Sequence, residues 1–111
     1  MNHVINEDGV EEMRFSNVLF KDLLVSDAPS ISIAKIELAG ENEKSKNTVS
    51  DTYYYVVEGE GAFIIGDKRY SVSKGSLVCI PKNTIYQDSG NLKMIAISVP
   101  KFDTDKVEII K

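Results

Sequence analysis

Short apolar runs, each closed after a few residues by turn-forming side chains, constrain this chain more than any other feature. The runs are rich in Val, Ile and Tyr, and Gly, Asn, Asp, Ser and Pro separate them. No window of about ten residues keeps the roughly 3.6-residue apolar period of a helix. The pattern predicts strands at 18–24, 30–38, 52–57, 62–65, 68–72, 76–80 and 92–99. Turn signals fall at Asp27-Ala28-Pro29, Gly59-Glu60-Gly61, Gly66-Asp67, Lys74-Gly75, Pro81-Lys82-Asn83 and Ser89-Gly90-Asn91. Residues 65–68 suit a tight hairpin, because Gly66 and Asp67 tolerate positive φ. Helix is expected at most in short pieces, at 7–14 and 106–110. So many short strands require a sandwich or a barrel closed on itself, since a single open sheet leaves unpaired edges and a bare face. The expected fold is all-β.

At 111 residues the chain can close one core, and 1–111 is read as a single domain. A hydrophobic content of 42% beside 27% charged residues is that of a soluble globular protein. The net charge of −4 and the scatter of the 13 lysines and arginines argue against a nucleic-acid partner. No apolar stretch is long enough to cross a bilayer, so no membrane partner is expected. Residues 1–12 are acidic where a secretory leader is basic and then apolar, which points to a cytoplasmic protein. Cys79, the single cysteine, excludes an internal disulfide and reads as a buried structural thiol within the apolar run 77–80. Apolar residues at both parities, in 31–38 and 94–97, predict an outer barrel face that needs cover. A second copy of the chain would supply it as a homodimer; the N-terminal segment folding over that face is the alternative.

Two glycine-bounded segments carry the strongest spacing signal. The first runs Gly40, five residues, Lys46, one residue, Thr48, three residues, Thr52, six residues, Gly59. The second runs Gly75, five residues, Pro81, one residue, Asn83, two residues, Tyr86, three residues, Gly90. Between them stands Tyr55-Val56-Val57-Glu58-Gly59-Glu60-Gly61. In spacing and in that strand segment the chain resembles the cupin superfamily, with motifs at 40–59 and 75–90. The resemblance implies a cupin-type double-stranded β-helix, a jelly-roll barrel. It also implies a divalent metal held by three histidines and a glutamate, yet Lys46, Thr48, Thr52 and Tyr86 occupy those positions. The sole histidine, His3, lies near the N-terminus. An ammonium offers no lone pair and threonine hydroxyls are poor ligands, so neither metal nor other cofactor is expected.

Alternation along the strand then places Lys46, Thr48, Ser50, Thr52, Tyr54 and Val56 inward, with Tyr53, Tyr55 and Val57 outward. Adding Tyr86, the expected ligand-binding set is Lys46, Thr48, Ser50, Thr52, Tyr54 and Tyr86, with no acid among the inward positions. This lining suits a small polar molecule, sugar-like or anionic. Hydroxyls donate and accept, phenol rings stack on sugar faces, and Lys46 pairs with a carboxylate or phosphate. The plainer reading makes Lys46 a solvated residue of the polar loop 39–47, the threonines ordinary strand formers and residues 53–55 core and interface. Three functions stay open: a metal-independent binding module, a metal-free sugar isomerase or epimerase using Lys46 and Tyr86, or a dimerising barrel plugged by Tyr54, Phe63 and Tyr86. No catalytic residue is assigned. Lys46 and Tyr86 are expected to share one cavity.

Overall fold

Two long strands, β5 (Asp51–Ile65) and β8 (Tyr86–Val99), run antiparallel along almost their whole length and organise the molecule. They are seen in a computed structural model that describes residues 3–24 and 30–111; the turn expected at Asp27-Ala28-Pro29 lies outside the described residues. On its other edge β8 pairs with β3 (Ser32–Glu41), which pairs with β2 (Val18–Asp22), which pairs with β1 (Met13–Phe15). β5 also pairs with β6 (Lys68–Ser73) and β7 (Leu77–Ile80). A short β4 (Ser45–Asn47) bridges β8 and β9 (Val107–Ile109). All pairings are antiparallel, and the resulting nine-stranded sheet curls around a core built on Val56, Phe63, Leu92 and Met94. The architecture is the expected all-β jelly-roll barrel.

The strand boundaries differ from expectation where glycines were taken for turns. Gly59 and Gly61 lie inside β5, and Gly90 lies inside β8. Glycine serves close approach there, not reversal: a Cβ on Gly59 would collide with the Asn91 carbonyl, and one on Gly90 would sit 2.5 Å from the Glu60 carbonyl. The register between β5 and β8 slips at Val57, a bulge that bends the strand. The bulge also moves the inward parity, from Thr52, Tyr54 and Val56 to Phe63, which faces Asp88 of β8. By contrast Gly66-Asp67 does form the tight hairpin between Ile65 and Lys68, and Asn83 takes the left-handed conformation at φ 64°.

Neither short helical segment is an α-helix. A 3-10 turn at Glu7–Gly9 leads into β1, and another at Thr104–Lys106 leads into β9. So few residues cannot overcome helix nucleation, and strand pairing satisfies their backbone instead. Cys79 is exposed, a correction that follows from alternation: Val78 and Ile80 on either side take the buried face of β7.

The outer face is partly covered. The N-terminal stretch is anchored to it by the Glu7 carboxylate, 2.7 Å from Lys35 Nζ, and by Lys21 Nζ donating to the Glu7 carbonyl at 3.0 Å. Tyr53, Tyr55, Val57 and Leu77 remain exposed beside it.

Candidate functional site

The barrel interior joins an apolar core to buried Asn47, Ser50, Thr52, Asp88 and Ser98 and to a pair of contacting phenols. Alternation on β8 turns Tyr86, Asp88, Leu92, Met94, Ala96 and Ser98 to one face, all but the half-buried Tyr86 fully buried. From the facing part of β5, Tyr54 reaches Tyr86, and their hydroxyls share a hydrogen bond at 2.6 Å. Phe63 completes the cluster, its ring 5.3 Å from that of Tyr54 and stacked 6.3 Å from that of Tyr86. Ser45, paired with Tyr86 across β4 and β8, adds a hydroxyl on the same face as the Tyr86 phenol. Asp88 is 2% exposed; Asn42 Nδ2 donates to its Oδ1 at 3.0 Å, and the Asn42 backbone N–H donates to its carbonyl at 3.0 Å.

Burial dominates the electrostatics of this cluster. It pushes the Asp88 carboxyl above the ordinary carboxylate range, opposed by the Asn42 hydrogen bond. It also pushes the Tyr86 phenol up to about 12, with the hydrogen bonds from Tyr54 and Ser45 opposing and the Asp88 charge adding. Tyr54 is likewise raised well above its ordinary value by burial, and next by the charges of Tyr86 and Asp88. The cluster therefore holds two protonated phenols beside a carboxyl that burial shifts toward its neutral form.

The expected ligand-binding residues do not all converge. Tyr54 and Tyr86 do, in direct contact. Ser50 and Thr52 are buried on the same inward parity, but the Ser50 hydroxyl donates to the Pro100 carbonyl at 2.8 Å and the Thr52 hydroxyl lies 3.4 Å from that of Ser98. Thr48 is spent on tying the loop to the C-terminal segment, its hydroxyl donating to the Lys106 carbonyl at 2.7 Å. Lys46 corrects the register argument. Its neighbour Ser45 shares a face with Tyr86, so alternation turns Lys46 to the opposite face, where its ammonium lies 3.6 Å from the Glu108 carboxylate. Lys46 and Tyr86 share no cavity. The inward residues of β4 are Ser45 and Asn47, and parity changes before Ser50 because Asn47 Oδ1 accepts the Val49 and Ser50 backbone N–H groups in a tight turn.

The expectation of no inward acid is also overturned, by Asp88. Its signal was present, since a residue two beyond Tyr86 on one strand must share its face. Asn42, Ser45 and Asn47 had no such signal, lying in a polar stretch without strand patterning.

Two surface depressions, of about 650 and 370 Å³, lie outside this cluster. The larger runs between the N-terminal stretch and Lys35, Val57 and Lys93, the smaller beside Arg14, Asn17 and Gly59. Neither is lined by an expected ligand-binding residue.

The donor set does not fit the divalent ion that such a barrel holds elsewhere. Among the described residues, no three His, Cys, Asp or Glu side chains converge. Phenols this resistant to ionisation are poor donors, and the Asn47 amide oxygen already accepts two backbone bonds.

Fold and interior together define a small jelly-roll barrel with a phenol and carboxyl centre. The model of the cupin domain family matches residues 34–88, and the chain belongs to the cupins. Among curated proteins it is 27% identical over 86 residues to an uncharacterized protein of Methanocaldococcus jannaschii, covering 74% of this chain and 69% of that one. Among solved structures, Streptomyces PAC13, described as a nucleoside dehydratase, superposes with a TM-score of 0.92 at 19% identity, over 100% of this chain and 92% of that one. Variants of PAC13 are solved with uridine, two of them with a tyrosine exchanged for phenylalanine. The polyketide cyclase RemF of Streptomyces resistomycificus gives a TM-score of 0.82 at 13% identity, over 100% and 87% of the two chains. At these identities the likeness establishes the fold.

Proposed function

We propose that the barrel binds a small polar metabolite, sugar-like or anionic, without a metal ion, at the Tyr54–Tyr86–Asp88 centre. The phenol pair carries this reading. Tyr54 and Tyr86 meet at 2.6 Å against a core otherwise built on Val56, Phe63, Leu92 and Met94. Phenylalanine would fill the same volume without desolvating two hydroxyls, and an apolar residue at Asp88 would avoid burying a carboxyl. Polar groups that oppose stability and are not needed for packing mark the places where a fold keeps its chemistry. Tyr86 retains solvent contact, which leaves the pair open to a ligand at the barrel mouth. The uridine complexes of PAC13, in the same fold, support a ligand of this size and polarity.

A second reading, a metal-free enzyme working by acid–base chemistry, is favoured by Asp88. Burial raises the affinity of the Asp88 carboxyl for a proton, which suits it to give or take one, and the adjacent phenols can stabilise a developing oxyanion. The lysine–tyrosine pair expected from sequence is replaced in this reading by Asp88 with Tyr86. The reading extends to a homodimer formed through Tyr53, Tyr55, Val57 and Leu77, exposed together on the outer face.

A thermal-shift screen against uridine, ribose, glucuronate and divalent metals tests both. A native-state ligand raises the melting temperature by mass action. A rise with uridine or glucuronate that is lost in Tyr86→Phe supports the phenol centre. A rise with metals alone overturns it, and silence throughout favours the plugged, purely structural barrel.

A further inference from the structure

The side chain of Asn47 is a second polar group in the barrel that packing does not explain. Asn47 closes β4 and is 7% exposed. Its Oδ1 accepts the backbone N–H groups of Val49 at 3.0 Å and Ser50 at 2.8 Å. Those two donors fix the orientation of the amide, because a flip would set its NH2 against two other N–H groups. The Nδ2 end is thereby committed to the other direction, where it is buried without a hydrogen-bond partner. Buried donors are almost always paired in native proteins, so an orphan held in place by the turn that orients it calls for an acceptor from outside the chain.

The position of the orphan agrees with the centre already described. Asn47 lies two residues from Ser45 on one strand, so their side chains share a face about 7 Å apart. Ser45 is the strand partner of Tyr86 and shares its face. The Asn47 carbonyl accepts the Asn83 N–H at 2.7 Å, which ties this end of β4 to the loop after β7. The other hydroxyls nearby are oriented by bonds of their own, Ser50 donating to the Pro100 carbonyl and Thr48 to the Lys106 carbonyl, and neither accepts from Nδ2.

We infer that Asn47 Nδ2 donates to an acceptor oxygen of the bound molecule, a ring carbonyl or a carboxylate, and so sets its orientation against the Tyr54–Tyr86 pair. This rests on the reading that the barrel interior takes a ligand. It narrows the ligand to molecules with such an oxygen roughly one strand repeat, about 7 Å, from the group that meets the phenols, and it excludes those presenting an ammonium there.

Side-chain amide signals of isotopically labelled protein test the inference directly. The Asn47 NH2 pair is assigned by its loss in Asn47→Asp, a variant that keeps an oxygen for the Val49 and Ser50 N–H groups. Uridine supplies ring carbonyls, glucuronate a carboxylate, and ribose neither. The Asn47 pair is expected to move with uridine or glucuronate and to stay still with ribose; which of the first two moves it distinguishes carbonyl from carboxylate. Asn47→Asp should weaken that binding about tenfold or more, the loss of one good hydrogen bond. If the tyrosine ring signals move while the Asn47 pair does not, the subsite is overturned and the barrel ligand stands. If no compound moves either set, both readings fall. Should the variant not fold, through-bond assignment of the wild-type signals allows the titration to decide alone.

Discussion

Tyr54 and its neighbours Tyr53 and Tyr55 are chemically identical, adjacent in sequence, and on opposite faces of β5. Inside, Tyr54 is 8% exposed, packs on Phe63 and shares a hydrogen bond with Tyr86. Outside, Tyr53 and Tyr55 are 37% and 48% exposed on a face that the N-terminal stretch covers only in part. The inner phenol is raised well above its ordinary value, chiefly by burial. Residue type alone therefore assigns none of the three tyrosines a role. Pleat parity does, by deciding which ring loses its water and which hydroxyl must find a partner inside the protein.

Substitutions on the two faces should separate in size. Phe63→Ala opens a cavity at the centre of the inner cluster and should cost about 3–5 kcal/mol in a denaturant titration; a cost near zero would mean that the barrel collapses around the gap. Tyr86→Phe leaves the Tyr54 hydroxyl buried without its partner and should cost about 1–3 kcal/mol. Tyr54→Phe should cost less, because the half-buried Tyr86 keeps its contact with solvent. The double variant should cost less than the sum of the two, the mark of a shared hydrogen bond.

Asp88 sharpens the inner face through pH. Its folded carboxyl binds a proton more tightly than the unfolded one, so the native state carries more bound protons between the two values. Stability then falls as pH rises through that window, by about 1.4 kcal/mol per unit of displacement, and levels off above it. Asp88→Asn should shrink the fall, leaving the share of Asp22, whose carboxyl burial also raises. Tyr86 repeats the logic at high pH: its unfolded phenol ionises near 10 and its folded one near 12, so stability should decline again between those values. Melting curves across pH read both.

The outer face should respond least in fold stability. Lys46→Ala removes a half-exposed ion pair with Glu108 and should cost under about 1 kcal/mol, leaving ligand binding unchanged. Loss of binding on that substitution would restore Lys46 to the site. Tyr55→Glu should change the melting temperature of a monomer by little, within about 0.5 kcal/mol. In light scattering the same variant should split a dimer into monomers; an unchanged monomeric mass in both proteins would remove the dimer from the proposal.

Legibility varied along the chain for identifiable reasons. Pro81 at the end of β7, positive φ at Asn83 and the Gly66-Asp67 hairpin follow from local backbone sterics, and the structure has each of them. Tyr54 and Tyr86 were reached through motif spacing, and they do meet. The reading failed where alternation was carried across a break. The turn at Asn47 separates inward Ser45 and Asn47 from inward Ser50 and Thr52, and the bulge at Val57 separates inward Val56 from inward Phe63. Each break changes parity by one residue, and a one-residue change exchanges the faces. Lys46 was misplaced inward for that reason. Asp88 was missed although no break separates it from Tyr86.

By itself the sequence determined the all-β class and the turns at Gly66-Asp67 and Asn83, because strand propensity and tolerance of left-handed φ are local properties, while motif spacing carried the resemblance to the cupin barrel. Only the tertiary structure decided which polar groups lose their water together. Tyr54 and Tyr86 lie 32 positions apart and Asn42 and Asp88 lie 46 apart, and their contact depends on how the curled sheet brings the inner faces of β5 and β8 and the segment around β4 against one another.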